Sequence, residues 1–253
     1  MTAPSRPDDH ATGPTGPTAP TAPISTCAVA VDVALLTLRD GRLQLLLVQP
    51  DAGPFTTQWA LPGRRVRDDE SLDDTAHRAL RELAGLSAPH AHLEQLRTYG
   101  DPTRDPRGRV VSVAYIALTP TVERHAGDGP LASGRARFFD VAELTDADGP
   151  HLAYDHDRIV PDALERARSK LEYTALATAF VAEPFTLGEL RRVYEAVWGV
   201  ELDVANFRRK VVHARDFVVE VEGTATPGPG GGRPAKRYRR GGATRLHPAM
   251  LRG

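Results

Sequence analysis

Two groups of side chains in this chain are typed and spaced for work on phosphates. The first lies in "DVANFRRKVVHA", residues 203–214. At helical spacing Val204, Phe207 and Val211 fall on one apolar face, which predicts a core contact. The opposite ridge carries Asn206, Arg209, Lys210 and His213, with Arg208 beside it. These donors suit base edges and phosphates, Arg and Asn being able to bond G and A in bidentate fashion. A following stretch, "GRPAKRYRR", adds Arg233, Lys236, Arg237, Arg239 and Arg240, cations suited to neutralising a phosphate backbone. The second group is six arginines in two short segments: Arg64, Arg65 and Arg67, then Arg104, Arg107 and Arg109. Guanidinium groups clustered in this way could grip a diphosphate.

The elements that must position these residues are legible in outline. The chain has 253 residues, 41% of them hydrophobic, enough to bury a substantial core. Its net charge of −1 conceals a division. Residues 1–165 hold 16 Lys+Arg against 24 Asp+Glu, and residues 166–253 hold 16 against 9. An acidic module followed by a basic one is expected, the latter a candidate for a polyanion partner. No apolar run reaches membrane-spanning length or forms a signal peptide, so no membrane partner and a cytoplasmic location are expected. Cys27 stands alone among alternating apolar residues and is expected in the core.

Residues 1–24, rich in Pro, Thr and Gly, read as a disordered tail. Residues 27–49 read as two strands turning at Asp40-Gly41, 108–120 as a third strand, and 135–144 as a strand running into a short helix or turn. Residues 72–84 have helical periodicity. This mixture gives an α/β or α+β first domain, taken as 25–150, followed by a connecting helix over 151–169 in which Pro161 marks an early turn or break. A mainly helical module spans 170–242, and 243–253 form a tail. Within that module Thr186 caps a helix with Glu189 three residues on and Gly199 as its stop, Asp203 caps the next, and two strands flank a Gly/Pro-rich loop. Helices followed by such a hairpin make a winged helix-turn-helix, with Thr186 near phosphates and the 203–214 helix in the major groove.

The segment "WALPGRRVRDDESLDDTAHRALRELAGL", residues 59–86, resembles the Nudix box of hydrolases that cleave nucleoside diphosphates linked to another group. Gly85-Leu86 and Arg78 fix the register, which puts the box glycine at Arg64 and its first glutamate at Glu70. The three metal-binding glutamates of the box fall on Ala79, Glu82 and Leu83. At about 100° per residue those positions share a helix stripe, where three carboxylates would hold divalent cations against a pyrophosphate. Here Leu72, Ala76, Ala79, Leu80 and Leu83 make the stripe a packing surface instead. Arginine in place of the box glycine also narrows the approach of the backbone. The resemblance therefore implies a scaffold with no catalytic residue, no metal and no cofactor. Residues 98–118 resemble the matching segment of ADP-ribose-cleaving Nudix proteins and their regulatory relatives. An effector site is then expected from Arg64, Arg65, Arg67, Glu70, Glu82, Arg104, Arg107 and Arg109. Trp59 is expected in the core rather than stacked on an adenine.

The segments "LAYDHDRI", "LEYTALA", "FTLGELRRVYEAVWGVELDVANFRRKVVHARDF" and "GRPAKRYRR" are similar to the Nudix-related transcriptional regulators of the NrtR family, over roughly residues 27–240. The resemblance implies an α+β, Nudix-like α/β/α sandwich followed by a mainly helical winged helix. It also implies a homodimeric repressor of NAD metabolism genes that binds a palindromic double-stranded DNA operator and a small nucleotide, ADP-ribose or a relative. Two alternatives stay open: a Nudix hydrolase with a degenerate box, and a regulator whose effector is a sugar or sugar phosphate.

Overall fold

The computed structural model describes residues 26–87, 91–119, 123–124, 130–144, 146, 149–225 and 234–252. The expected tail over residues 1–24 and the wing residue Arg233 lie outside the described residues. The first strand, β1 (Ala28–Arg39), turns at Asp40-Gly41 into β2 (Arg42–Val48). Both turn residues have positive φ, 51° and 76°, as a tight hairpin with right-handed twist requires. Then follow β3 (Gly63–Arg65), α1 (Leu72–Ala84), β4 (Leu86–Ser87), β5 (His92–Tyr99), β6 (Val110–Thr119), β7 (Glu123–Arg124), β8 (Ala136–Asp140) and the short α2 (Val141–Leu144). The main sheet runs β5-β6-β1-β2-β8. β1 and β6 are parallel, the other pairs antiparallel. β1 is shared lengthwise: its end pairs with β2, while Ala30 to Asp32 pair with Arg65 to Gly63 of β3.

Alternation along β1 divides the core. Val31, Val33 and Leu35 face α1, where Ala76, Leu80 and Leu83 close the layer. Ala34 and Leu36 face the other way, toward α3 (His156–Tyr173). Each such fully buried aliphatic side chain contributes roughly 1.5–3 kcal/mol. α1 begins where Ser71 and Asp74 form a reciprocal capping box and ends at Gly85, left-handed at φ 65°. Ala79 is fully buried on this helix, so the expected packing stripe is present.

The second layer leads without a break into the C-terminal module. After α3 come a 3₁₀ turn (Ala175–Phe180), β9 (Phe185–Thr186), α4 (Leu187–Trp198), α5 (Val204–His213), β10 (Val218–Ala225) and β11 (Ala235–Arg240). Leu190, Val193 and Val197 of α4, with Phe207 and Val211 of α5, belong to the same buried cluster as Leu36, Ile116 and Ile159. The chain then folds back. Leu246 and Met250 are buried in that cluster, their N–H groups bond the carbonyls of Tyr173 and Glu172, and Arg252 pairs with Glu165 and Glu172. No helix among the described residues is long and apolar enough to cross a membrane.

Three expectations are corrected here. Cys27 is exposed, because it precedes β1, whose buried run starts only at Val31. Pro161 does not break the connecting helix, which runs unbroken from His156 to Tyr173; the carbonyl that its missing N–H would bond belongs to Asp157, in the first turn. Val204 is 63% exposed, so the buried face of α5 is Phe207 and Val211 alone.

Candidate functional site

A cleft of about 520 Å³ opens between β1, β3, the end of α1 and the start of α3. Its rim carries Arg64, Arg65, Arg67 and Arg107, so the two arginine segments do meet at one cavity. Their surroundings differ. Arg64 Nε donates to Glu82 Oε2 at 2.9 Å, and Arg67 lies 3.6 Å from the other oxygen of the same carboxylate. Arg107 donates to Asp105 and, at 3.1 Å, to the Tyr154 hydroxyl. Arg65 makes no ion pair among the described residues and is exposed on the rim.

Arg104 lines the same cleft. Its side chain is 4% exposed and is spent on two carboxylates, Asp155 at 2.8 Å and Asp32 at 3.2 Å. These bonds use Nε and Nη2 and fix the guanidinium in the cleft wall. Arg109 donates to the carbonyl of Gly100 and is not among the residues that line the cleft. Trp59 packs edge-on against Phe139, ring centroids 4.8 Å apart, in the core as expected.

The acids of the box-like helix are engaged by cations from within the chain. Glu70 accepts from Arg78, from the Arg67 N–H at 2.9 Å and from Thr75 Oγ1 at 2.8 Å. The Arg78 bond, opposed by desolvation and helped by Arg67 and Thr75, pulls the Glu70 carboxyl down to about 2. The Glu82 carboxyl is lowered too, chiefly by Arg64. Ala79 and Leu83 bring no ligand atom, and the Arg64 guanidinium sits on the one acid left of the three. This donor set does not fit a pair of divalent cations, which need several free oxygens.

Beneath the cleft is a buried polar network that sequence reasoning missed. Asp32 on β1 accepts from Ser112 on β6 and from Arg104. Burial pushes its carboxyl up, but His156, Arg104 and Ser112 together hold it below the ordinary 3.8. Gly63 makes the network possible: a Cβ there would lie 2.0 Å from Asp32 Oδ1. His156 accepts the Leu61 N–H at Nδ1, 2.9 Å away. Tyr154, beside it, is held at φ 57° with its ring edge-on to Phe55 at 4.6 Å. A bulky residue with positive φ marks stored strain and, when it lines a cavity, a functional position. The signal available in the sequence was "AYDHD", a cap-type Asp flanked by Tyr and His where a helix begins.

The C-terminal module presents a second polar face. Thr186 caps α4 with Glu189 in a reciprocal box, and its strand β9 pairs with β11. α4 and α5 are joined through Gly199, left-handed at φ 71°, and Asp203 caps α5 by accepting the Asn206 N–H. On the exposed side of α5, Arg209 Nη2 donates to Asn206 Oδ1 at 2.8 Å and His213 Nδ1 lies 2.7 Å from the Arg209 carbonyl. That brings Asn206, Arg209 and His213 together; Arg208 is exposed beside them and Lys210 is half-buried at the edge. Val212, 55% exposed, sits among these donors, where a branched apolar group can meet a thymine methyl. In the hairpin, Lys236 is tied to Glu220 at 2.8 Å and Arg237 reaches the Pro184 carbonyl, while Arg239 and Arg240 project without an ion pair among the described residues.

Comparison with known proteins fits both modules. Residues 28–162 match the model of the NUDIX domain, and residues 177–240 match that of the NrtR DNA-binding winged helix domain. An ADPR responsive transcriptional repressor, NtrR, of Acinetobacter baylyi is 35% identical over 214 residues, 83% of this chain and 81% of that protein. The ADP-ribose pyrophosphatase of Methanocaldococcus jannaschii is 36% identical over 135 residues, 53% of this chain and 72% of that protein. The crystal structure of Shewanella oneidensis NrtR complexed with a 27mer DNA has a TM-score of 0.68 at 32% identity, covering 84% of this chain and 93% of that one. Fold and site together define a Nudix domain joined to a DNA-binding winged helix, the build of a transcriptional regulator. The chain belongs to the NrtR family.

Proposed function

We propose that this protein is a transcriptional repressor whose Nudix domain senses ADP-ribose without hydrolysing it. The observation that carries the reading is the Arg64–Glu82 pair. A cleft of nucleotide size is retained, yet a guanidinium occupies the acid that a catalytic cation would use, beside Ala79 and Leu83. Arg65 and Arg107 at the rim are the candidates to hold the diphosphate, with Arg64 and Arg67 adding positive charge, and Glu70 and Glu82 keep those loops in place. Tyr154 offers an aromatic face. Likeness to the ADPR responsive repressor of Acinetobacter supports the effector, and likeness to Shewanella NrtR, solved with a 27mer DNA, supports DNA as the partner.

On the DNA side, Asn206, Arg208, Arg209, Lys210 and His213 read the major groove, and Thr186, Lys236, Arg237 and Arg239 contact phosphate. Two copies on a palindromic operator would set their recognition helices about 34–36 Å apart, one turn of DNA. ADP-ribose changes occupancy of the operator only by binding one subunit geometry better than the other. The test is an electrophoretic shift of DNA that co-purifies with the protein, with and without ADP-ribose. Retardation that millimolar ADP-ribose leaves untouched would refute the sensor.

A hydrolase is the second reading, favoured by the likeness to the Methanocaldococcus pyrophosphatase. Incubation with ADP-ribose and Mg²⁺ separates the two. Turnover above ~1 s⁻¹ would support an enzyme.

A further inference from the structure

Three consecutive residues at the start of α3 each give up an ordinary local arrangement. Tyr154 is held in the left-handed region. Asp155 occupies the N-cap position, but its carboxylate makes no capping bond and goes to Arg104 instead. His156 is 1% exposed, and its Nε2 has no hydrogen-bond partner. Buried polar atoms are normally paired, and an orphan in a cavity wall marks a place that a ligand or water completes.

The chemistry of the orphan is fixed by its other nitrogen. Nδ1 accepts the Leu61 N–H, so Nε2 carries the ring proton and is a donor. Its nearest acid is Asp32 Oδ2 at 3.6 Å, beyond hydrogen-bond length, and that oxygen is already taken by Arg104 and Ser112. His156 and Tyr154 both line the cleft.

His156 is also the first residue of the helix that connects the two modules. Ile159, Ala163 and Leu171 of α3 lie in one continuous buried cluster with Leu190, Val193 and Val197 of α4. Close-packed interiors transmit displacement rather than absorb it, so a shift at the start of α3 reaches the DNA-binding helices through side chains already in contact.

We propose that His156 Nε2–H donates to an acceptor oxygen of the nucleotide in the cleft, and that this bond is the contact through which occupancy reaches the winged helix. The proposal deepens the ADP-ribose reading above and rests on it. It makes the segment 154–156 the relay, with Tyr154 and Arg104 holding the imidazole in position.

His156→Asn tests it in the full-length protein. The shorter amide keeps an oxygen where Nδ1 accepts from Leu61 and removes the donor at Nε2. Calorimetric titration with ADP-ribose should show affinity falling about ten- to a hundred-fold, the loss expected of one buried bond to a charged or polar oxygen. His156→Gln, whose amide nitrogen reaches the Nε2 position, should recover part of it. At saturating ADP-ribose, the effect of the nucleotide on operator affinity should shrink toward none in His156→Asn. Unchanged ADP-ribose affinity in His156→Asn overturns the donor, and an unchanged effect at saturation overturns the relay. Wild-type protein that binds no ADP-ribose overturns the underlying reading instead, so the failures are distinct. Proton–nitrogen spectra of the wild-type histidine side chains need no variant: ADP-ribose should shift the His156 Nε2–H resonance and slow its exchange, and an unmoved resonance on a saturated protein counts against the bond.

Discussion

The Arg64 guanidinium, in the lining of the cleft, and the Glu82 carboxylate, outside that lining, are joined by a 2.9 Å bond. Arg64 stands at the Nudix box's glycine position, and Glu82 is the one metal-binding acid retained. An internal cation has thus taken the place where an external one would be recruited. Restoring acids elsewhere on the helix leaves that pair intact. The double variant Ala79→Glu, Leu83→Glu is expected to stay below ~1 s⁻¹ on ADP-ribose with Mg²⁺, followed by chromatography of AMP. Faster turnover would mean that Glu82 leaves Arg64 readily when a metal is offered.

Arg209 lies at the centre of the exposed side of α5, steadied by Asn206. Arg209→Ala should weaken specific operator binding by about 1–3 kcal/mol and leave ADP-ribose affinity unchanged. Fluorescence anisotropy with operator and calorimetry with nucleotide measure the two separately. A matching fall in both would show that the side chain supports the fold rather than the DNA contact.

Gly63 is fixed by space, since a methyl group there would lie 2.0 Å from Asp32 Oδ1 and 3.0 Å from the Val31 carbonyl. Gly63→Ala should cost about 1–3 kcal/mol in urea unfolding, the range for overfilling a packed site. Wild-type stability would indicate that Asp32 can turn away without loss, and that its network is not rigid.

Glu70 gives the acid limb of stability a named contributor. Its carboxyl is lowered in the folded protein from the ordinary 4.5 to about 2, mainly by Arg78. A group with a depressed folded pKa adds stability that is full above its unfolded value and is lost as pH falls through the folded one. The melting-temperature gap between wild type and Glu70→Gln should therefore be constant above about pH 5 and close progressively toward pH 2. A gap that stays constant through that range would place the acid response elsewhere.

Much of the local structure was legible because it is dictated by near neighbours. Asp40-Gly41 sets a hairpin wherever it falls between apolar strands. The Ser71–Asp74 and Thr186–Glu189 boxes start α1 and α4, and Gly85 and Gly199 end them by adopting φ that other residues resist. β5 was harder to see, since "HLEQLRTY" has only Leu96 and Tyr99 buried and shows no clean alternation. Val204 misled for the converse reason: helical spacing gives a face, but not which of its positions are covered.

The sequence by itself determined the hairpin, the capped helices and an acidic module followed by a basic one, because capping, periodicity and residue type act over a few positions; the Nudix-like sandwich followed from the resemblance of residues 59–86. Only the tertiary structure decided which acid each arginine meets and how deeply it is buried. Arg104 and Arg107 look alike in the chain, yet Arg104 meets Asp32 and Asp155, 72 and 51 positions away, and is buried, while Arg107 pairs with its near neighbour Asp105 and stays half-exposed at the rim. His156 likewise gains its meaning from Leu61, 95 positions distant, whose N–H fixes the ring proton on Nε2. Electrostatics is settled by distance in space, and folding sets that distance between residues whose separation in sequence carries no record of it.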